Sequence, residues 1–225
     1  MLIQNLPRWL LLSAFLLAMN AGMINVLGLF SLLHQSVSHM TGNVSLVADA
    51  LIQQQYGHVL YLLLVIACDV LGSSYSGFIL GNSHFELSQR YGAPLCLVAI
   101  FILICWLFLP YYPRYALLWA SAAMGVQNAM VSHYKGAIIR TTHLSGVLTD
   151  LGLALGYLLK GLPVEPRRII LHLMIFVGFL LGGIIASLVY PYLKFEAFLI
   201  PAGLSLLLCV VYWVALFRVL PFSKK

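Results

Sequence analysis

Long apolar stretches, separated by short polar connections, run along most of the chain. A helix needs about 20 mainly apolar residues to cross a bilayer, and six of the stretches have that length. Runs such as Leu60–Ala67 and Leu204–Val211 lack the polar–apolar alternation of membrane-barrel strands. The pattern therefore predicts six spanning helices, at about 9–34, 58–81, 93–112, 115–134, 168–192 and 196–217.

Two further apolar stretches, at about 43–55 and 144–159, are shorter or more polar. They predict short or re-entrant helices, which enter the membrane without crossing it. The expected fold class is therefore an all-α, polytopic membrane helix bundle with about six spanning helices and two short ones. The alternative is eight spanning helices, if both short stretches also cross.

The composition supports a membrane protein. The 225 residues are 62% hydrophobic and 8% charged, whereas a typical soluble domain has about 25% charged residues. This composition excludes a soluble globular domain and makes the lipid bilayer the main partner. The net charge is +6, but the basic residues are scattered between apolar stretches. They form no basic patch, so nucleic acid is not an expected partner.

The basic residues also predict an orientation. With six crossings, one side of the membrane holds ten of them and the other holds only Arg114 and Lys194. With eight crossings the best division is eight against four. Because cytoplasmic loops carry the excess of Lys and Arg, six crossings with both termini in the cytoplasm are favoured. The ten are Arg8, Arg90, Lys135, Arg140, Lys160, Arg167, Arg168, Arg218, Lys224 and Lys225.

The two halves of the chain resemble each other within a single transmembrane domain, 1–225. Repeat 1 covers about 9–112 and repeat 2 about 115–217. Three crossings in each half give an inverted repeat, as in many secondary transporters, whereas four give a parallel repeat. Matched positions, at a nearly constant offset, are Gly22 with Gly125, Asn25 with Asn128, His39 with His143, Gly42 with Gly146, and Ser45 with Thr149.

Small residues recur at four-residue spacing in both halves, which allows helix backbones to approach closely in lipid. Two interpretations remain open, tight packing within the chain or a dimer face. The aligned series are Ser73, Gly77 and Gly81 with Gly178, Gly182 and Ala186. The four cysteines, Cys68, Cys96, Cys105 and Cys209, lie in apolar stretches without a CxxC motif, so we expect buried apolar fillers and not disulfides.

The segments 38–43 and 141–146 each place hydroxyls, a histidine and a glycine just before a short apolar helix. One interpretation is a helix cap at the membrane surface, because Ser and Thr are good N-caps. The other is a re-entrant helix that points its positive end at a ligand. His39 and His143 could bind a substrate, carry a proton or only form hydrogen bonds. Two histidines alone do not make a metal site.

Other polar side chains lie inside apolar helices, where unpaired groups are costly. Asn25, Gln127 and Asn128 either join helices by hydrogen bonds or line a pathway. Asp69 is the acid deepest within an apolar stretch, and Asp150 lies nearer a helix end. An intramembrane carboxyl is a candidate for proton or cation coupling, the alternative being a group satisfied by a neighbouring hydroxyl or amide.

The motifs resemble those of the YoaK family of uncharacterised bacterial inner-membrane proteins (domain of unknown function 1275), over essentially the whole chain. Members often have aspartate where this chain has Asn25, and Thr-Gly-Asn where it has Ser145, Gly146 and Val147. The resemblance implies the fold and a multi-pass location in the bacterial inner membrane, but no substrate. The matching residues are Gly22 and Asn25, His39 to Asn43, Met124 to Ala129, Arg140 to Thr142, and Gly146.

These observations favour a small secondary transporter or channel for an unidentified small solute, with Asp69 or Asp150 as the coupling residue. The alternative is a non-transporting scaffold or partner subunit of a larger complex. We expect no enzyme activity, because no nucleophile or metalloprotease motif is present, and no cofactor or metal. A homodimer remains open. The expected solute-binding residues are Asn25, His39, Thr41, Asn43, Gln127, Asn128, His143, Ser145 and Thr149.

Overall fold

The computed structural model describes residues 8–31, 37–81, 89–132 and 141–219. Within these ranges the chain forms α-helices and one short 3-10 turn, Lys194–Phe198. The six predicted spanning helices and the two short ones are all present. They are α1 (Arg8–Phe30), α2 (Met40–Ile52), α3 (Tyr56–Leu80), α4 (Gln89–Phe108), α5 (Pro113–Ser132), α6 (Leu144–Leu159), α7 (Pro166–Leu193) and α8 (Leu199–Val219).

The long helices have the length and composition of membrane spans. Four described stretches are apolar enough to cross a bilayer, and the last contains both α7 and α8. The helix α5 has 20 residues but is more polar, and it packs between α3 and α4. Large apolar side chains such as Phe78 and Leu107 point outward, as lipid contact requires. The four stretches are Trp9–Phe30, Tyr56–Leu80, Tyr91–Phe108 and Pro166–Phe217.

Two pairs of long helices pack in parallel. On α7, a Cβ at Gly178 would meet Phe15 of α1, and a Cβ at Gly182 would meet Met19. The contacts move along both helices in the same direction, so α1 and α7 are parallel. The pair α3 and α5 behaves in the same way. Three hydrogen bonds join this pair, from Ser121 Oγ to Val65 O at 2.9 Å, from Ser73 Oγ to Gly125 O at 3.1 Å, and from Ser76 Oγ to Val126 O at 2.8 Å.

The helices α4 and α8 run in opposite directions. Gly92, near the start of α4, lies against the Trp213 ring near the end of α8, and Cys96 lies beside Cys209. An apolar cavity of about 350 Å³ is lined by the beginnings of α1 and α4 and by the ends of α5 and α8. Thus α1, α4 and α7 run one way and α3, α5 and α8 the other. This alternation fits six crossings, since eight crossings would make α4 and α8 parallel.

The cysteine prediction was wrong for one pair. Cys96 of α4 and Cys209 of α8 are joined as a disulfide, with their Cα atoms 5.6 Å apart. Cys68 and Cys105 are free thiols inside the bundle. The two bonded residues are 113 positions apart in the sequence. Spacing could not reveal this contact, because only the packing of α4 on α8 brings them together.

The small-residue prediction was correct for α7, but on α3 it holds only for Ser73, whose Oγ donates to the Gly125 carbonyl at 3.1 Å. Gly178 and Gly182 let α1 approach so closely that an added Cβ would meet its backbone carbonyls. On α3 the corresponding residue is Gly72, whose added Cβ would meet the carbonyl of Ala122. Nothing lies within 4 Å of a Cβ built at Gly77 or Gly81, and Gly81 ends the helix with φ of 56°. Both close contacts lie within the chain.

Candidate functional site

The two short helices begin with the same backbone geometry. His39 is the N-cap of the 13-residue α2, with φ −96° and ψ 73°. His143 is the N-cap of the 16-residue α6, with φ −87° and ψ 63°. Among the described residues, no side chain makes a capping hydrogen bond at the N-terminus of α2 or of α6. Ser38 and Thr142 therefore do not act as the helix caps that the sequence left open.

Those two hydroxyls instead attach the start of each short helix to the preceding long helix. Ser38 Oγ donates to Asn25 Oδ1 of α1, at 3.1 Å. Thr142 Oγ1 donates to Asn128 Oδ1 of α5, at 2.7 Å. Asn25 and Asn128 were predicted either to join helices or to line a pathway; both make these bonds, and both also line the cavity described next. The hydrogen bonds fix the position of each helix N-terminus within the bundle.

A cavity of about 400 Å³ lies between the two short-helix N-termini. The helix α2 leads from it to the start of α3, and α6 leads to the start of α7, at the opposite end of the bundle. The structure thus brings together seven predicted residues, Asn25, His39, Thr41, Asp69, Asn128, His143 and Ser145. The remaining lining residues are Ser38, Met40, Ser73, Ala129, Ser132, Thr142, Leu144 and Phe179.

Four predicted site residues do not line this cavity. Asn43 is buried in α2, with its Nδ2 atom 3.8 Å from Met40 Sδ. Thr149 is exposed and donates to the Ser145 carbonyl within α6, at 2.9 Å. Gln127 and Asp150 make contacts with other helices, which are described below. Position in the motif was a poor guide to these four, because their side chains leave the helices on other faces.

Gln127 belongs to a buried hydrogen-bond network that joins α1, α5 and α8. Its Oε1 accepts from Asn20 Nδ2, at 3.1 Å, and its Nε2 donates to the Leu17 carbonyl, at 3.0 Å. Asn20 Nδ2 also donates to Ser205 Oγ, at 3.1 Å. Asn20 was not among the predicted site residues, although an amide in the middle of the first apolar stretch was a visible signal. This network stabilises the bundle beside the cavity.

Asp69 is the acidic residue of the cavity lining. It lies near the middle of the 25-residue α3, and Gly125 of α5 packs against its backbone carbonyl. Its Oδ1 atom is buried and has no hydrogen-bond partner among the described residues. An unpaired polar atom away from water is costly. A proton or a ligand bound at this oxygen would offset part of that cost.

The two histidines differ in their immediate surroundings. The imidazole of His39 lies over Gly42, where a Cβ would come within 2.6 Å of His39 Cδ2. Gly42 therefore leaves the space that this side chain occupies. The corresponding Gly146 has nothing within 4 Å of a built Cβ. Among the described residues, no group of three or more His, Cys, Asp or Glu could hold a metal ion.

Asp150 attaches α6 to α7, outside the cavity. Its Oδ2 lies 3.3 Å from Arg168 Nη2 and 3.5 Å from His172 Nε2. The side chains of Arg168 and Asp150 are 46% and 35% exposed, whereas that of His172 is only 3% exposed. Asp49, the acidic residue of α2, is exposed. Its Oδ2 accepts a hydrogen bond from Nε2 of Gln53, the residue that follows the helix, at 2.7 Å.

The helices and their apolar outer faces define the class, a multi-pass helical membrane protein. Residues 13–211 match the model of the family described as Protein of unknown function (DUF1275). The chain therefore belongs to this family, which confirms the resemblance drawn from the motifs. Searches of curated proteins and of solved structures found no match. Because the family description names no activity, the function has to be argued from the site.

Proposed function

We propose that this protein is a small secondary transporter or channel, and that the cavity between α2 and α6 binds the solute. One observation carries the proposal, namely that the N-termini of α2 and α6 and their exposed histidines line one open cavity that is rich in polar groups. Transporters place their sites in the same way, at broken helices near the middle of the membrane. Asp69 is the coupling residue in this proposal, and the cavity serves binding and passage instead of catalysis.

An internal duplication supports this assignment. The bond from Ser38 to Asn25 has its counterpart in the bond from Thr142 to Asn128. The helix α1 packs on α7, and α5 packs on α3, so each half contacts the other through the equivalent pair. The halves run in opposite directions, which makes the repeat an inverted one. Alternating access can then arise by rocking one half against the other around a fixed site.

The contacts of Gly22 and Gly125 extend the correspondence between the halves. An added Cβ on Gly22 would meet the Phe179 carbonyl of α7, and one on Gly125 would meet the Asp69 carbonyl of α3. Phe179 and Asp69 both line the cavity. Equivalent close contacts therefore adjoin the site in both halves, where they fix the distance between the paired helices.

The rival function, a non-transporting scaffold or partner subunit, predicted dry packing between the motifs and an exposed small-residue face. Instead a cavity of about 400 Å³ lies there. Gly72, Gly178 and Gly182 contact neighbouring helices of the same chain. The cavity does not favour the rival, whereas the exposed pair Gly152 and Gly156 on α6 is a small-residue surface of the kind that the rival requires.

The proposal is tested by solute uptake into proteoliposomes that contain the full chain. Candidate solutes are added to vesicles loaded with a pH-sensitive dye, so that solute entry and proton entry are recorded together. We expect uptake by the wild type and a loss of at least tenfold in Asp69→Asn and His39→Ala, with Asp49→Asn unchanged. Wild-type rates in both cavity variants would eliminate the site, and vesicles no more permeable than protein-free ones would eliminate transport.

We also propose a bacterial inner-membrane location with both termini in the cytoplasm. Arg8 and Arg218 lie at one end of the bundle with the starts of α4 and α7, whereas Arg114 and Lys194 lie at the other. That division follows the positive-inside rule. Lys135, Arg140, Lys224 and Lys225 of the predicted count lie outside the described residues. Reporter fusions to the C-terminus test this, and activity of a periplasm-dependent reporter there would reverse the orientation.

A further inference from the structure

We infer that the solute carries an oxyanion group and that it binds together with a proton on Asp69. This inference rests on the proposed function, because it concerns the same cavity. It goes further by naming the chemical class of the solute and the reason for the coupling. The lining offers hydrogen-bond donors at two helix ends and one acid. The donors at the helix ends attract an anion, whereas an ionised Asp69 would repel one. Binding of an anion together with a proton on Asp69 satisfies both groups.

The donors come from the first turns of α2 and α6. A helix leaves its first N–H groups without an intrahelical acceptor. In α2 the first bond to a residue four positions back runs from Asn43 N to His39 O, and in α6 it runs from Val147 N to His143 O, both at 3.2 Å. Earlier N–H groups belong to residues such as Thr41 and Ser145, which line the cavity. No described side chain caps either helix N-terminus, so no described side chain competes with a ligand for these groups.

The electrostatic field of the two helices also favours an anion. Each helix N-terminus is equivalent to roughly half a positive charge, and two of them adjoin one cavity of about 400 Å³. Pockets of this size hold small organic ligands. Half-helix dipoles of this orientation oppose cations. A carboxylate or another oxyanion can accept hydrogen bonds from both first turns, which a cation cannot do.

Asp69 explains why a proton accompanies the anion. Its Oδ1 is buried without a described partner, and the carboxyl adjoins the same cavity. An ionised Asp69 would itself occupy the positive field of the two helix ends and repel a second anion. A proton on Asp69 removes that competition. The solute anion and the ionised carboxyl therefore exclude each other, and binding of the anion takes up one proton.

Few other groups could produce the same linkage. Among the described residues, the titratable side chains that line the cavity with Asp69 are His39 from α2 and His143 from α6. The described lining residues of α5 are Asn128, Ala129 and Ser132, and none of them ionises. The helix α4, which also packs on α3, contributes no described residue to the lining. The two histidines are therefore the alternative that the experiment has to separate from Asp69.

The experiment measures binding to the purified full chain in detergent, by the shift of its melting temperature. Sodium lactate and sodium methanesulfonate are the oxyanion probes, because both stay ionised between about pH 5.5 and about pH 7.5. Glycerol is the neutral control and choline the cationic one. We expect the two anions to bind more tightly as the pH falls, by up to about tenfold per pH unit, the limit for one linked proton.

Variants assign the linkage to a residue. Asp69→Asn should bind the anions at all pH values with no pH dependence, because its side chain stays neutral. Asp49→Asn, on the exposed face of α2, should behave as the wild type. The double variant His39→Gln with His143→Gln keeps Asp69 and should keep the pH dependence, even with weaker binding. It also tests the inference if Asp69→Asn does not fold.

Several outcomes would overturn the inference. Stabilisation by glycerol or choline equal to that by the anions removes the charge preference. If the pH dependence of anion binding survives in Asp69→Asn, or disappears in the double histidine variant, the linked proton is not on Asp69. Anion binding without uptake into vesicles leaves this inference intact and refutes transport. Uptake of glycerol or choline without any anion leaves transport intact and refutes this inference.

Discussion

Asn20 of α1 and Gln127 of α5 are joined by a buried hydrogen bond of 3.1 Å, and both side chains are 0% exposed. The same amides reach the Leu17 carbonyl and the Ser205 hydroxyl. Polar groups inside a membrane bundle are costly unless they find partners. These two amides therefore hold the halves of the molecule together, at a position next to the cavity between α2 and α6 and not in it.

We expect Gln127→Leu to lower the free energy of unfolding by about 1–3 kcal/mol, because it leaves Asn20 and the Leu17 carbonyl with a lost partner in the bundle interior. The measurement is unfolding of the purified protein by SDS titration. Gln55→Leu is the control, since Gln55 is exposed and its Nε2 donates to Gln53 Oε1, at 2.7 Å, on the surface of the molecule. Equal stability of the two variants would contradict a role for the amide network.

The glycines of α3 provide a test of the helix register. A Cβ at Gly72 would meet the carbonyl of Ala122, whereas a Cβ at Gly77 has open space around it. We expect Gly72→Ala to destabilise the bundle by about 1–3 kcal/mol through overpacking. Gly77→Ala should instead be neutral or stabilising by up to about 1 kcal/mol, because alanine favours the helix. Unfolding measurements on both variants decide, and the reverse order would mean that α3 meets α5 through Gly77.

The sequence predicted the helices well because lipid leaves few alternatives for an apolar chain. It also predicted both motifs and the acid that share the cavity. The face of α3 that packs on α5 could not be predicted from the sequence. Gly72, Gly77 and Gly81 all lie at close spacing on α3, and only the contact with α5 shows which one the approach requires. The contacts of Gln127 and the pairing of Cys96 with Cys209 depend likewise on helix packing, which a single sequence does not contain.

Gly42 and Gly146 occupy matching positions but should respond differently to substitution. In Gly42→Ala the new methyl group would come within 2.6 Å of His39 Cδ2, so the imidazole has to move. We expect several-fold weaker solute binding with little change in stability, because the end of a side chain can shift more easily than backbone. Gly146→Ala has open space and should bind as the wild type does. Melting-temperature titrations compare the two, and equal binding would mean that His39 makes no contribution through its present position.

The hydroxyls of Ser38 and Thr142 position the half-helices, so their removal should weaken binding without changing its pH dependence. The stronger case is Thr142→Val, which removes the 2.7 Å bond to Asn128 Oδ1. A hydrogen bond of this kind contributes about 1 kcal/mol, so we expect roughly fivefold weaker binding. Thr149→Val is the control on the exposed face of α6. Unchanged binding in Thr142→Val would show that α6 stays in place without this bond.

Asp150 and Asp69 were both candidates for proton coupling, but we expect Asp150 to act in stability and Asp69 in coupling. Asp150 lies 3.3 Å from Arg168 and 3.5 Å from His172, so it attaches α6 to α7. Because the ion pair is partly exposed, we expect Asp150→Asn to cost about 1 kcal/mol of unfolding free energy, less at high salt. Unfolding at low and high salt measures this cost, with Asp49→Asn as the control.

The solute site itself should be unaffected in Asp150→Asn, since Asp150 does not line the cavity. Binding of the oxyanion probes should therefore keep its full dependence on pH, and vesicle uptake should still carry protons. Asp69→Asn should show the opposite pattern, with pH-independent binding and uptake that is at least tenfold slower. If Asp150→Asn were the variant that lost the pH dependence, the linked proton would belong to α6 and its contact with α7, and the cavity carboxyl would have to be reassigned to packing.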